Sequence, residues 1–157
     1  LASNGFKVSG WSNARKEIEN IESYTKKELK LFLNKAKILI CLLPLTEETK
    51  GILNIDLFEE LPDQSCLINV ARGAHLKEND LKLALESGKL KTAFLDVFDV
   101  EPLPKDSWIW QHKSIQITPH IASVTNPASV VNQLAENYLR FKDNKELKFK
   151  VDLNKLY

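Results

Sequence analysis

Three polar residues with complementary chemistry, Arg72, Glu101 and His120, each follow a short apolar stretch of the sequence. A guanidinium binds a carboxylate through paired hydrogen bonds and polarises a neighbouring carbonyl. An imidazole donates a proton near neutral pH, and an adjacent carboxylate orients it and fixes its tautomer. Reduction of a 2-keto acid needs these functions from a protein. We therefore predict that the three side chains converge on one point and form a catalytic group.

Each of these residues also has a simpler interpretation when it is taken alone. Arg72 stands beside Gly73 and could be a solvated turn residue, Glu101 could be a loop charge, and His120 could be a loop or core histidine. Their placement after successive strands is what favours the catalytic interpretation, because the ends of parallel strands meet at one edge of a sheet. The other two histidines, His75 and His112, lack such a setting and are predicted to be structural or surface residues.

The elements that position these residues alternate along the chain. Five apolar runs predict strands, namely Phe6–Trp11, Ile38–Leu43, Cys66–Val70, Thr92–Val97 and Ile115–Thr118. Helical patterns separate or follow them, at Lys26–Asn34, Ile55–Glu60, Glu78–Ser87 and Ala128–Lys142. Continuous apolar strands are typical of a parallel sheet covered by helices on both faces. The order predicts an open, doubly wound parallel α/β sheet, in which ligands bind at the carboxyl ends of the strands.

Local signals predict where three of these helices begin or end. Thr25 and Glu28 form a capping-box pattern before the first helix, and Asn54 is a plausible N-cap for the second. Gly88 is well placed to end the third helix.

Bulk composition excludes several functional classes. The 157 residues carry a formal net charge of +1, and the Lys and Arg residues are dispersed, which argues against a nucleic-acid or membrane footprint. No apolar run approaches the roughly 20 residues of a membrane helix. Cys41 and Cys66 lie within apolar runs and are predicted to be small buried hydrophobes, and we predict no metal site.

Four motifs in order identify a family resemblance. They are Leu43–Ile52 (LPLTEETKGI), Asn69–Gly73 (NVARG), Leu95–Pro102 (LDVFDVEP) and Ile117–Ala122 (ITPHIA). Over Gly5–Tyr157 the chain resembles the D-2-hydroxyacid dehydrogenases, which are Rossmann-type NAD(P)-dependent enzymes. Within that family it looks most like the bacterial glyoxylate/hydroxypyruvate reductase A group, including Trp11–Lys16 (WSNARK) and the ending Val151–Tyr157 (VDLNKLY).

The resemblance implies roles for individual positions. Arg72 looks like the arginine that binds the substrate, Glu101 like the acid paired with the histidine, and His120 like the proton donor. Asp96 resembles the aspartate near the nicotinamide ribose and carboxamide. The remaining positions that would line the cofactor, together with Arg72 and His120, are Leu43, Pro44 and Thr49 on the adenosine side and Val70, Ala71, Ala122 and Ser123 beside the nicotinamide. Thr49 and Ser123 could instead be ordinary turn residues.

The segment after the first predicted strand bears on cofactor choice. Folds of this kind that prefer NAD place an acidic residue there to bind the ribose 2′-hydroxyl. This chain has Ser12, Arg15 and Lys16 instead, and no acid before Glu17. A hydroxyl and two cations suit a 2′-phosphate. We therefore expect a preference for NADPH, with NAD as a possible second cofactor. The alternative is that both cations are solvated loop charges.

The resemblance also predicts what the sequence lacks. None of the five glycines forms the G-x-G-x-x-G phosphate loop, and the chain contains no methionine and begins at Leu1. We expect an N-terminally incomplete domain, without the first strand, the glycine-rich loop and the substrate domain, that is inactive by itself. Residues 1–125 are predicted to be the partial NAD(P)-binding domain, and residues 126–157 a helix and tail that return toward the substrate domain.

The function implied is reduction of small 2-keto acids, such as glyoxylate and hydroxypyruvate, by a cytoplasmic enzyme that is a homodimer at full length. One alternative is a non-catalytic nucleotide-binding or interaction module with the same fold. Another is an inactive fragment of such an enzyme. Trp108 and Trp110 either shape the pocket rim or pack against the sheet or a neighbouring subunit.

Overall fold

The structure, a computed structural model, describes residues 1–123 and 126–151. The chain divides into two compact units, Leu1–Pro119 and His120–Tyr157. The first unit contains the strands β1 (Ser9–Trp11), β2 (Glu22–Tyr24), β3 (Ile38–Cys41), β4 (Ser65–Asn69), β5 (Leu90–Leu95) and β6 (Ile115–Ile117). Its α-helices are α1 (Leu29–Leu33), α2 (Ile55–Glu59) and α3 (Glu78–Glu86). The second unit contains α4 (Pro127–Lys142).

Four strands form the central sheet in the order β3-β4-β5-β6, and each neighbouring pair is parallel. Helix α2 connects β3 to β4, α3 connects β4 to β5, and a 3₁₀ helix at Trp108–Gln111 precedes β6. Parallel neighbours require such crossovers, because a strand that runs in the same direction must first return to the starting edge. The predicted open parallel α/β sheet is therefore confirmed.

The strands β1 and β2 form a separate parallel pair, and β2 was missed by the sequence analysis. The segment Glu22-Ser23-Tyr24 has no apolar run, and only Tyr24 is buried, so periodicity gives no strand signal there. The predicted strand Phe6–Trp11 is too long at its start: β1 begins at Ser9, and Phe6 is 56% exposed. An apolar residue alone does not make a strand without a partner for its backbone.

The predicted helices form with the expected end signals. Both halves of the capping box between Thr25 and Glu28 are present, although the first turn is a 3₁₀ helix (Lys26–Glu28) that leads into α1. The Asn54 side chain accepts a hydrogen bond from the backbone N–H of Leu57 and so caps α2. Gly88 follows α3 with φ 76°, a left-handed conformation that glycine adopts without steric cost.

The core of the first unit lies on one face of the central sheet. Its strands contribute Leu39, Leu67, Ala93 and Leu95, and α2 and α3 contribute Leu57, Phe58, Leu81, Ala84 and Leu85. Phe58, Leu67 and Leu81 are completely buried. Burying such a side chain stabilises the fold by about 1.5–3 kcal/mol. Packing of this size holds the strand ends, and hence the residues that follow them, in fixed positions.

The second unit consists of a short segment, α4 and a tail. Asn126 caps α4 through its side chain, with Pro127 at the first helical position. Glu136 forms ion pairs with Arg140 and Lys148, which ties the tail to the helix. Two predictions about this region stay predictions: the domain boundary between residues 125 and 126, and the return of the tail to a substrate domain. Residues 152–157, which belong to the VDLNKLY ending, lie outside the described residues.

Across the part of the chain that the structure describes, no helix has both the length and the apolar character needed to cross a membrane.

Candidate functional site

The carboxyl ends of β3, β4 and β5 lie at one edge of the central sheet, because the three strands are parallel and adjacent. Pro44 follows β3, Arg72 follows β4, and Asp96 and Glu101 follow β5. These four predicted residues are therefore brought to a common edge. This is the edge at which open α/β sheets bind ligands.

The turn that carries Arg72 is held from below by Asn69, the last residue of β4. The Asn69 side chain is completely buried; its Oδ1 accepts from the Ala71 N–H at 3.2 Å and its Nδ2 donates to the Arg72 carbonyl at 3.2 Å. The Arg72 side chain is exposed, and its Nη1 donates to the Ala71 carbonyl at 2.7 Å. The backbone of this turn is thus fixed, and the Arg72 residue remains exposed, as a group that binds an anion must.

Gly73 lets this turn lie directly against the loop after β5. A Cβ added at Gly73 would lie 1.8 Å from the Phe98 carbonyl carbon, 2.1 Å from its oxygen and 2.2 Å from the Asp99 nitrogen. Only a residue without a side chain permits this approach of two backbones. The loops that carry Arg72 and Glu101 are therefore in direct contact.

The loop after β5 is closed by Glu101 and anchored by Asp96. A Glu101 carboxylate oxygen accepts from the Phe98 N–H at 2.9 Å, and Glu101 is exposed. Asp96 is 3% exposed; its N–H donates to the Asn69 carbonyl, and its Oδ1 accepts from the Thr118 hydroxyl at 2.5 Å. These contacts join the ends of β4, β5 and β6.

The turn after β3 is organised by Thr49. Its hydroxyl donates to the Pro44 carbonyl at 2.7 Å and accepts from the Thr46 N–H at 2.8 Å. This hydroxyl is used within the turn, which favours the alternative interpretation of Thr49 as a turn residue. Leu43 is half-buried and Pro44 is exposed at the start of the same turn. Val70 is half-buried and Ala71 buried at the start of the Arg72 turn.

His75 is a residue whose place in the site the sequence did not reveal. Its imidazole is completely buried, as predicted for a structural histidine. Its Nδ1 lies 3.0 Å from the Arg72 carbonyl oxygen and its Nε2 lies 3.3 Å from the Pro44 carbonyl oxygen. The signal that could have indicated this was its position three residues after Arg72, within one turn.

The segment after β1 contains the residues predicted to bind the 2′-phosphate of the cofactor. Arg15 Nη2 pairs with both Glu28 carboxylate oxygens at 2.7 and 2.8 Å, and Nη1 donates to the Ser23 carbonyl at 2.7 Å. The Ser12 hydroxyl donates to the Ala14 carbonyl, and Lys16 is exposed. A guanidinium has five N–H groups, so these contacts hold Arg15 in place and leave N–H groups for another acceptor.

The electrostatics of this segment centre on Glu28. Hydrogen bonds from the Thr25 N–H and hydroxyl, reinforced by Arg15, hold the pKa of the Glu28 carboxyl below its ordinary value. The guanidinium of Arg15 and the ammonium of Lys16 are groups that suit a phosphate ester, whereas the Ser12 hydroxyl already donates to the Ala14 carbonyl.

His120 directly follows Pro119, the last residue of the first unit, and is itself the first residue of the second. It is exposed and has φ 54°, a left-handed conformation in which histidine is enriched among non-glycine residues. Ala122 and Ser123 are exposed in the same segment. The role of these three residues, and the convergence of His120 with Arg72 and Glu101, stay predictions.

Comparison with known proteins gives the family. The sequence model described as the D-isomer specific 2-hydroxyacid dehydrogenase, NAD binding domain, matches residues 1–122. The chain belongs to the D-isomer specific 2-hydroxyacid dehydrogenase family. All the predicted site residues of this dehydrogenase chain except Ser123 lie within the matched region.

Relatives of this dehydrogenase chain extend the match to most of its length. Glyoxylate/hydroxypyruvate reductase A of Salmonella heidelberg (strain SL476) is 44% identical over 149 residues, which are 94% of this chain and 48% of that protein. A D-isomer specific 2-hydroxyacid dehydrogenase from Xanthobacter autotrophicus Py2, solved with NADPH and MES, is 38% identical with a TM-score of 0.95; the match covers 99% of this chain and 65% of that one.

A third similar structure is an NADPH-dependent glyoxylate/hydroxypyruvate reductase from Sinorhizobium meliloti in complex with NADP and sulfate. It is 36% identical, with a TM-score of 0.94, over 99% of this chain and 51% of that one. This dehydrogenase chain thus spans about half the length of the curated relatives that it matches. The predicted family and the Rossmann-type fold are both confirmed.

Proposed function

We propose that the protein containing this chain reduces small 2-keto acids, foremost glyoxylate and hydroxypyruvate, to 2-hydroxy acids with NADPH. The observation that carries the proposal is the backbone contact at Gly73, which brings the turn of Arg72 against the loop of Glu101. An anion-binding cation and an acid at adjoining strand ends, in a 2-hydroxyacid dehydrogenase, favour this reaction. The names of its relatives point to the same substrates.

In this proposal each residue has one task. Arg72 binds the carboxylate of the keto acid and polarises its carbonyl, because a guanidinium offers paired donors. His120 gives a proton to the carbonyl oxygen as it becomes a hydroxyl, and Glu101 orients the imidazole. Asp96, buried and bonded to Thr118, holds the strand ends beside which the nicotinamide would lie. The nicotinamide supplies the hydride that reduces the keto carbon.

The proposed preference for NADPH over NAD rests on Ser12, Arg15 and Lys16. The guanidinium of Arg15 is already held by Glu28 and Ser23, so binding a 2′-phosphate would cost it little side-chain entropy. Two similar dehydrogenases were solved with NADPH or NADP. We further propose that the intact protein is a cytoplasmic homodimer.

The test is a steady-state assay of the intact gene product with glyoxylate and hydroxypyruvate, using NADPH and NADH in turn. We expect kcat/KM to be higher with NADPH and to fall about 100-fold in Arg72→Lys, because a point charge replaces a planar fork. Arg140→Lys, on α4 and paired with Glu136, is the matched control and should leave the rates unchanged. Wild-type rates in Arg72→Lys, or equal efficiency with NADH, would contradict the corresponding part of the proposal. Cofactor binding without turnover would favour the non-catalytic alternative.

A further inference from the structure

The buried imidazole of His75 spans two turns of the proposed site. Its Nδ1 lies 3.0 Å from the Arg72 carbonyl oxygen and its Nε2 lies 3.3 Å from the Pro44 carbonyl oxygen. Carbonyl oxygens only accept hydrogen bonds, and a neutral imidazole carries a single N–H, so a neutral ring donates to one of the two carbonyls. The tautomer with the proton on Nε2 is the one that links the ring to Pro44. With both nitrogens facing carbonyls and no exposed surface, this ring is not placed to exchange a proton with a substrate.

Neither carbonyl depends on His75 alone for a hydrogen bond. The Arg72 carbonyl also accepts from the Asn69 side chain and from the His75 backbone N–H, and the Pro44 carbonyl also accepts from the Thr49 hydroxyl. Satisfying a lone buried polar group is therefore not what this imidazole adds. Its distinct contribution is the connection between the two turns.

Backbone hydrogen bonds already join the same two segments farther from the sheet edge. Gly51 donates to the Ala74 carbonyl at 2.9 Å, and Leu53 donates to the His75 carbonyl at 2.9 Å. The imidazole adds the tie at the other end, where Arg72 and Pro44 emerge from β4 and β3. The Arg72 turn also contacts the Phe98 backbone through Gly73.

We propose that His75 is a positioning residue that couples the turn of Arg72 to the turn of Pro44 and so sets where the guanidinium stands relative to the bound cofactor. This inference rests on the proposed function, since it assigns His75 to the same site. The coupling acts through the side chain, from the 3₁₀ turn at Gly73–His75 to the Pro44 carbonyl.

Three substitutions separate this role from simple filling of space. In His75→Gln the amide nitrogen can reach the place of Nε2 and keep the link to Pro44, whereas in His75→Asn it reaches only the place of Nδ1. His75→Phe keeps a ring but has no donor. A positioning role predicts kcat/KM for the keto acid within about threefold of wild type for Gln and a loss of about tenfold or more for Asn and Phe. If His75 only fills space, His75→Phe should instead have the highest kcat/KM of the three variants and His75→Asn the lowest.

A double-mutant cycle with Arg72→Lys tests whether His75 acts through Arg72. If it does, adding His75→Asn to Arg72→Lys should lower kcat/KM by less than about threefold, because the residues are coupled. His112→Asn is the matched control; His112 stacks edge-on against Trp108 and its Nδ1 accepts from the Ser114 N–H, so its kcat/KM should not change. Thermal unfolding of every variant accompanies the kinetics.

The outcomes are distinct. Should His75→Asn fail to fold, the comparison of Gln with Phe still decides. The inference is overturned if Phe equals or exceeds Gln, or if the loss from His75→Asn is the same in both Arg72 backgrounds. An inactive wild-type protein would overturn the proposed function, and this inference with it; an active wild type with unimpaired His75→Asn would overturn only the inference.

Discussion

Replacing Gly73 with alanine places a methyl group where the backbone of the neighbouring loop already stands. The new Cβ would lie 1.8 Å from the Phe98 carbonyl carbon and 2.2 Å from the Asp99 nitrogen. Non-bonded carbon atoms prefer a separation of about 3.5–4.0 Å, so the two loops must move apart by about 1.7 Å or more. The obstructing atoms belong to the main chain, and no change of rotamer removes them.

The Gly73→Ala substitution should reduce both the stability and the activity of the protein. Overpacking of a buried position typically costs about 1–3 kcal/mol, and we expect the upper end or more because main chain must move. Displacement by more than 1 Å would separate Arg72 from Glu101, and a misplacement of about 1 Å at a reacting centre can cost about 100-fold in rate. In the proposed reductase, Gly73→Ala should therefore lower both the free energy of unfolding and kcat/KM.

The assay compares Gly73→Ala with Gly10→Ala in the intact protein, by chemical denaturation and by initial rates with glyoxylate. Gly10 lies on β1, and a Cβ added there meets nothing within 4 Å, so this variant controls for the change of residue type. The reasoning would be refuted by a Gly73→Ala protein as stable and as active as the Gly10→Ala protein. Loss of stability with full activity would refute only the claim that this contact positions the site.

Three further predictions follow from local features. Asn54→Ala removes the cap of α2 and should lower the free energy of unfolding by about 1 kcal/mol in denaturant titrations, whereas Asn54→Asp, which still accepts the hydrogen bond, should cost less. The pKa of Glu28 is lowered in the folded protein, so its carboxylate stabilises the fold above about pH 4.3, and this contribution is lost as the pH falls further. Below that pH the free energy of unfolding should therefore fall more steeply with pH in the wild type than in Glu28→Gln. Equal slopes in the two proteins would contradict the assignment. Burial raises the pKa of both thiols, and Cys41 is the more buried of the two. Brief alkylation of the native protein near pH 8, followed by mass spectrometry, should therefore find Cys66 modified before Cys41. The reverse order would count against the fold.

Sequence alone determined the elements that have strong local signals. The capping box at Thr25, the cap at Asn54 and the glycine at Gly88 predicted helix ends, because these residues satisfy backbone groups within a few positions of themselves. The apolar runs predicted β3 to β6 to within a few residues, because buried parallel strands need continuous apolar sequence. The sequence also indicated which residues follow each of these strands.

Only the tertiary structure decided how those residues are held. Strand β2 forms from a polar segment because β1 lies beside it, which no window of sequence reports. Gly73 has a normal place in its motif, yet the reason for glycine is the backbone of Phe98, which lies 25 positions later in the sequence. His75 links carbonyls from two different loops, at Arg72 and Pro44. Contacts between segments distant in sequence depend on the packing of the whole unit, so the chemistry of a single residue cannot give them.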